Sequence, residues 1–92
     1  MSNMPLEKLV LLPKSAVTIG EHLRQKGKKT PKDISKETGL APRTVSLGLK
    51  KLMGPGYVGK VPNIQWDMRQ PLYYLNAERW SEYLRRYGHI IN

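Results

Sequence analysis

Apolar residues recur at helical spacing through most of the chain, broken beyond the midpoint by two short β-rich runs. Between Met1 and Leu12 a small cluster, Leu6, Leu9, Val10 and Leu12, follows a polar start and predicts either a helical turn or an extended arm. From Pro13 the rhythm becomes Ala16, Gly20 and Leu23, flanked by Val17 and Ile19. That i, i+4, i+7 face predicts a helix from Lys14 to Lys26, closed by Gly27. Gly20 in its interior lowers helix propensity by ~1 kcal/mol relative to alanine, which points to close packing at that position.

The stretch "TPKDISKETGLAPRTVSLGLKKL", Thr30 to Leu52, predicts two further helices separated by a glycine. Thr30 can cap the first, Pro31 fits its first turn, and Asp33 follows the cap at capping-box spacing. This helix ends near Thr38; Gly39 can take the left-handed conformation, Leu40 can drop into the core, and Ala41-Pro42 restarts a helix at once. Two helices joined by a tight turn form a helix-turn-helix. The third helix carries Val45, Leu49 and Leu52 on one face, with Gly48 beside them, and ends at "MGPG". Its other face reads Arg43, Ser46, Leu47, Lys50 and Lys51. "YVGKV" (Tyr57 to Val61) and "LYYL" (Leu72 to Leu75) predict a hairpin with a long tip, and Asn76 can cap a last helix striped by Trp80, Tyr83, Leu84 and Tyr87.

Charge adds a partner to this outline. In 92 residues, 16 Lys and Arg oppose 7 Asp and Glu, a net +9 with a pI near 10.1, and 39% of the chain is hydrophobic. A folded basic domain of this size meets a polyanion, nucleic acid first, although an anionic membrane surface or an acidic protein satisfies the same electrostatics. The absence of cysteine excludes disulfides, thiolate metal sites and a cysteine nucleophile. The longest apolar run, "LVLL", falls far short of the roughly 20 residues that span a bilayer, and no signal-peptide pattern opens the chain, so a soluble cytoplasmic protein without membrane association is expected. His22 and His89 lack acidic or cysteine neighbours at ligand spacing and are expected at the surface. Ser15, Ser35 and Ser46 have no elbow or base beside them, and no glycine-rich phosphate loop precedes a helix. Neither an enzyme nor a bound metal or cofactor is expected.

The segment "ISKETGLAPRTVSLGLKKL", followed by a hairpin, resembles the winged helix-turn-helix of the MarR, ArsR and TrmB-like transcription regulators, small archaeal members in particular, over about Leu12 to Leu75. The resemblance implies an α+β winged-helix fold: a three-helix core, a β-hairpin wing and an additional C-terminal helix. "DMRQPLYYL" is similar to the wing of MarR-like proteins, where an aspartate braces the loop and an arginine reaches the minor groove; those positions are Asp67 and Arg69. "MGPGYV" departs from the commoner charged linker, and Pro62 and Pro71 bracket the tip.

On the geometry of a helix in the major groove, Arg43, Thr44, Ser46 and Leu47 are candidate base readers and Lys50 and Lys51 candidate phosphate contacts, with Lys32 and Lys36 on the second helix reaching the backbone. Trp66 is expected to pack on its own domain. The expected organisation is an arm or short helix over residues 1–12, a winged-helix domain over 13–76 and a C-terminal helix over 77–92. The long aromatic stripe needs a partner, which predicts a homodimer through Trp80, Tyr83, Leu84 and Tyr87, with Leu6 and Leu9 beside them. The function these features point to is a sequence-specific regulator of transcription that binds double-stranded DNA. A non-specific architectural DNA-binding protein and a winged-helix protein-interaction module remain alternatives, and a small-molecule effector is unspecified.

Overall fold

Each helix of the structure, a computed structural model that describes residues 11–63 and 70–91 (side chains to residue 88), forms where the apolar spacing predicts one. Helices α1 (Lys14–Lys26), α2 (Pro31–Thr38) and α3 (Pro42–Met53) precede strands β1 (Val58–Val61) and β2 (Leu72–Leu75), and helix α4 (Ala77–Ile91) ends the chain. Gly27, at φ 86°, closes α1 by donating its N–H to the Leu23 carbonyl. The Thr30 hydroxyl accepts the Asp33 N–H at 3.1 Å to cap α2, and the Asn76 side chain accepts the Arg79 N–H at 3.2 Å to cap α4. Leu6, Leu9, Val10, Trp66, Asp67 and Arg69 lie outside the described residues.

The strands pair antiparallel in the register Val58 with Leu75 through Val61 with Leu72. Gly59 faces Tyr74, whose ring takes the space a side chain would need: a Cβ on Gly59 would stand 2.5 Å from the phenolic oxygen. One further rung comes from outside the hairpin. Lys29 bridges Tyr73 through two backbone hydrogen bonds of 3.1 and 2.8 Å, fastening the link between α1 and α2 to the far strand. The "GKKT" stretch carries no period-2 alternation that would have announced this pairing.

Two close contacts, each made at a glycine, set how the helices meet. α3 crosses α1 at Gly48, where an added Cβ would lie 2.6 Å from Ile19 Cδ1 and 3.6 Å from the Ala16 backbone. α4 folds back on α1 at Gly20, where a Cβ would stand 2.5 Å from two ring carbons of Trp80. The indole N–H of Trp80 donates to Glu21 Oε2 at 2.7 Å, so neighbouring residues of α1 form both the floor and the polar edge of its socket.

The core gathers Leu12, Ala16, Ile19, Leu23, Ile34, Val45, Leu49, Leu52, Val58, Trp80, Tyr83 and Tyr87, with Leu40, Tyr57 and Leu84 packed against it. Tyr57 meets Trp80 and Tyr83 edge to face, and Trp80 stacks on Tyr83 at 5.2 Å between centroids. The Tyr83 hydroxyl accepts the Leu12 N–H at 3.0 Å. This corrects the role expected of the aromatic stripe. Trp80, Tyr83 and Tyr87 are 1%, 1% and 6% exposed within a single chain, so they offer no face to a second copy. The reason is volume: a core without phenylalanine takes its bulk from α4. Three core helices, a hairpin and a helix folded back against them make an α+β winged helix-turn-helix.

Two outcomes test this packing. Gly20→Ala gains helix propensity yet should lower stability by about 1–3 kcal/mol, because the added methyl collides with the Trp80 ring; thermal unfolding reads the sign directly. Glu21 is held below its ordinary pKa of 4.5 chiefly by the Arg24 guanidinium, with the Trp80 N–H assisting and burial opposing. A carboxylate depressed in the folded state adds stability above its unfolded pKa and loses it as pH falls through the folded value. Glu21→Gln should therefore flatten the decline in melting temperature on acidification below about pH 5, measured beside wild type.

Candidate nucleic-acid interface

The turn between α2 and α3 is built by short polar side chains. Gly39 sits at φ 80°, ψ 1°, and its N–H reaches the Ser35 carbonyl at 2.9 Å. The Ser35 hydroxyl donates to the Leu40 carbonyl at 2.7 Å, while Thr38 Oγ1 donates to the Ile34 carbonyl and accepts the Leu40 N–H. These bonds hold Leu40 against the core and fix the angle at which α3 leaves the turn.

α3 is anchored by Val45, Gly48, Leu49 and Leu52, all buried. At about 100° per residue, Arg43, Leu47 and Lys50 at i, i+4 and i+7 form the ridge opposite that buried face. All three are exposed, Leu47 at 52%, with Ser46 exposed beside them and Thr44 half-buried at the flank. The 12 residues of α3 include no carboxylate, and Ala41 supplies no side chain to cap its first turn. The first-turn N–H groups thus face outward without a side-chain acceptor, adding the positive end of the helix dipole to Arg43.

The surrounding lysines divide into flanks. Lys32 and Lys36 edge a shallow hollow with Pro31, Ser35 and Pro42, which sets them beside the first turn of α3. Lys50 shares a second hollow, of about 310 Å³, with Ser46, Lys60 and Tyr73 between α3 and the hairpin. Lys51 instead borders Leu11, Pro13 and Pro55, about 100° further round the helix from Lys50. Among the described residues the ion pairs engage His22, Arg24 and Lys29, and none engages Lys32, Lys36, Arg43, Lys50, Lys51 or Lys60.

Sequence reasoning missed Lys28, Lys29 and Lys60. Lys60, two residues after buried Val58 and so on the same face of β1, reaches the hollow beside α3, a placement that needs the packing of the hairpin on that helix. Lys28 and Lys29, which gather with Lys32 and Asp33 around Asn63 and Gln70 where the tip leaves the strands, depend on the rung to Tyr73. His22 also differs from expectation. Its side chain is only 14% exposed and bonds Glu37 Oε1 at 2.7 Å, while Glu37 Oε2 accepts from Lys29 at 3.2 Å. These bonds, His22 first and Lys29 second, hold the Glu37 carboxyl below its ordinary pKa and tie α1, α2 and the hairpin rung together. No group of His, Cys, Asp and Glu among the described residues is arranged to hold a metal ion.

An outward basic helix, presented by a helix-turn-helix and flanked by a hairpin, defines the winged-helix class. Solved structures share the fold. Transcriptional regulator Tm0710 from Thermotoga maritima superposes with a TM-score of 0.67 at 23% identity, over 76% of this chain and 49% of that one. A MarR mutant from E. coli complexed with operator DNA gives 0.66 at 22% identity, over 79% and 51%. FabT of Streptococcus pneumoniae in complex with DNA gives 0.61 at 27% identity, over 83% and 52%. The chain spans about half the length of these structures. No protein-family model matches it, and no curated protein does.

Proposed function

We propose that the chain is a sequence-specific regulator of transcription that lays α3 in the major groove of duplex DNA and its hairpin wing toward the adjacent minor groove. The observation that carries this reading is the ridge Arg43–Leu47–Lys50 on a helix without acidic residues, bordered by lysines from α2 and the hairpin. An α-helix fits the major groove, with residues near its N-terminus closest to base edges and cations further along closest to phosphates. Two structural neighbours, MarR and FabT, were solved with DNA, which supports the same use of the fold here. Arg69, supported by Asp67, is the candidate for the minor-groove contact on the strength of the wing motif.

Enrichment of bound sequences from a random duplex pool tests the reading as a whole. A recurrent site that survives excess competitor DNA supports a specific regulator; binding lost to competitor points to an architectural protein, and no binding to a protein-interaction module. Within a recovered site, Arg43→Ala should cost about 1–3 kcal/mol and relax preference at one base position. Lys50→Ala should weaken every duplex alike and reduce the salt slope by about 1. Equal losses on specific and random duplex for Arg43→Ala would remove that residue from the base readers.

Two-fold pairing belongs to the same reading, since one helix reads few base pairs and a dimer sets two half-sites about one DNA turn apart, ~34 Å. With Trp80, Tyr83 and Tyr87 inside the chain, pairing would run through Leu6 and Leu9 together with half-buried Leu84. Sedimentation at tens of micromolar should give a dimer for the intact chain and a monomer for the Leu6→Glu, Leu9→Glu double variant; a monomeric wild type would end the dimer proposal.

A further inference from the structure

Among the described residues three large apolar side chains are exposed: Leu11, Leu47 and Tyr74. Two of them have local surroundings that account for them. Tyr74 covers Gly59 across the hairpin, and Leu11 borders an apolar hollow with Leu12, Pro13 and Tyr57. Leu47 has no such company. It belongs neither to the core nor to the apolar residues packed against it, and it stands at the centre of the basic ridge, one turn after Arg43 and just before Lys50.

An isolated surface leucine is ordinary in itself. A leucine at the middle of a polar, acid-free helix face is different, because the surface that meets it is the surface that meets Arg43 and Lys50. In the major groove the C5 methyl of thymine is the one methyl group on a base edge; beside the small C–H edges, the other features there are hydrogen-bond donors and acceptors. An isobutyl side chain has no hydrogen bond to offer and gains only by covering that methyl.

Resting on the DNA-binding reading above, we infer that Leu47 reads a 5-methylpyrimidine, thymine in unmodified DNA. Neighbours four apart on a helix lie ≈5–6 Å from one another, whereas base pairs are stacked 3.4 Å apart. The thymine therefore falls within one or two base pairs of the base that Arg43 contacts. Leu47 is thus a specificity residue that acts by shape and burial rather than by charge, and its contribution is independent of salt.

The test removes the methyl from either side of the contact. In the duplex recovered by selection, each thymine in turn is replaced by deoxyuridine, which keeps base pairing and deletes only the C5 methyl. Wild-type protein should bind about fourfold more weakly at one thymine position per half-site, the effect of leaving one methyl group unburied. Leu47→Ala should bind thymine and deoxyuridine duplexes alike at that position, while Leu47→Met, which keeps an apolar side chain, retains the discrimination. Because Leu47 is exposed and alanine favours helix, the Ala variant should melt as wild type does, separating lost contact from lost fold. If wild type binds the selected duplex but no deoxyuridine position weakens it, or if Leu47→Ala remains equally sensitive, the inference on Leu47 is overturned while the DNA-binding reading stands. If wild type enriches no duplex at all, both fall.

Discussion

The seat of Trp80 on Gly20 is the contact on which the rest of the arrangement depends. The indole ring can come this close to α1 only where that helix lacks a Cβ, and Gly20 provides the gap with Glu21 beside it to receive the indole N–H. α4 is drawn back across the domain by this contact and brings Tyr83 and Tyr87 with it. A chain of this length buries little apolar surface from three short helices and a two-stranded hairpin. The aromatic side chains of α4 supply the remaining bulk, and each polar end that is buried finds a partner, as with the Tyr83 hydroxyl and the Leu12 N–H.

Tyr57 transmits that packing to the hairpin. Its N–H bonds the Leu52 carbonyl at the end of α3, its carbonyl accepts the Asn76 N–H at the start of α4, and its ring lies edge-on to Trp80 and Tyr83. One residue thereby links the last turn of α3, the first strand and the returning helix. The opposite end of the hairpin is fixed by the Lys29–Tyr73 rung, and Glu37 joins Lys29 to His22 on α1. The angle between α3 and the hairpin is consequently set from both ends.

Electrostatics and packing divide the molecule cleanly. The carboxylates of the ion pairs among the described residues, Glu21 and Glu37, sit at junctions between elements, each held below its ordinary pKa by the side chains that hydrogen-bond to it. Arg43, Lys50 and Lys51 lie exposed on α3, which carries no carboxylate. A ridge whose own helix carries no acid keeps its charge unneutralised at short range.

Much of this was legible in the chain. Local rules placed the helices because their determinants are local: the Thr30 cap, the prolines in the first turns, Gly39 at the turn, and apolar positions spaced for one helix face. The outward residues of α3 followed from the same periodicity, since naming the buried side of a helix names its exposed side. The fate of the aromatic stripe was beyond local rules. Trp80, Tyr83 and Tyr87 form an amphipathic face that would suit a second copy of the chain or the chain's own core equally well, and periodicity alone cannot choose between the two. The choice rests on Gly20, 60 residues earlier in the sequence, whose missing side chain matters only once α1 and α4 lie together. The rung at Lys29 and the bond between His22 and Glu37 are likewise relations between distant segments. Sequence determined the elements and their faces; the tertiary structure decided which faces meet, because that depends on shape complementarity between surfaces the chain brings together only by folding.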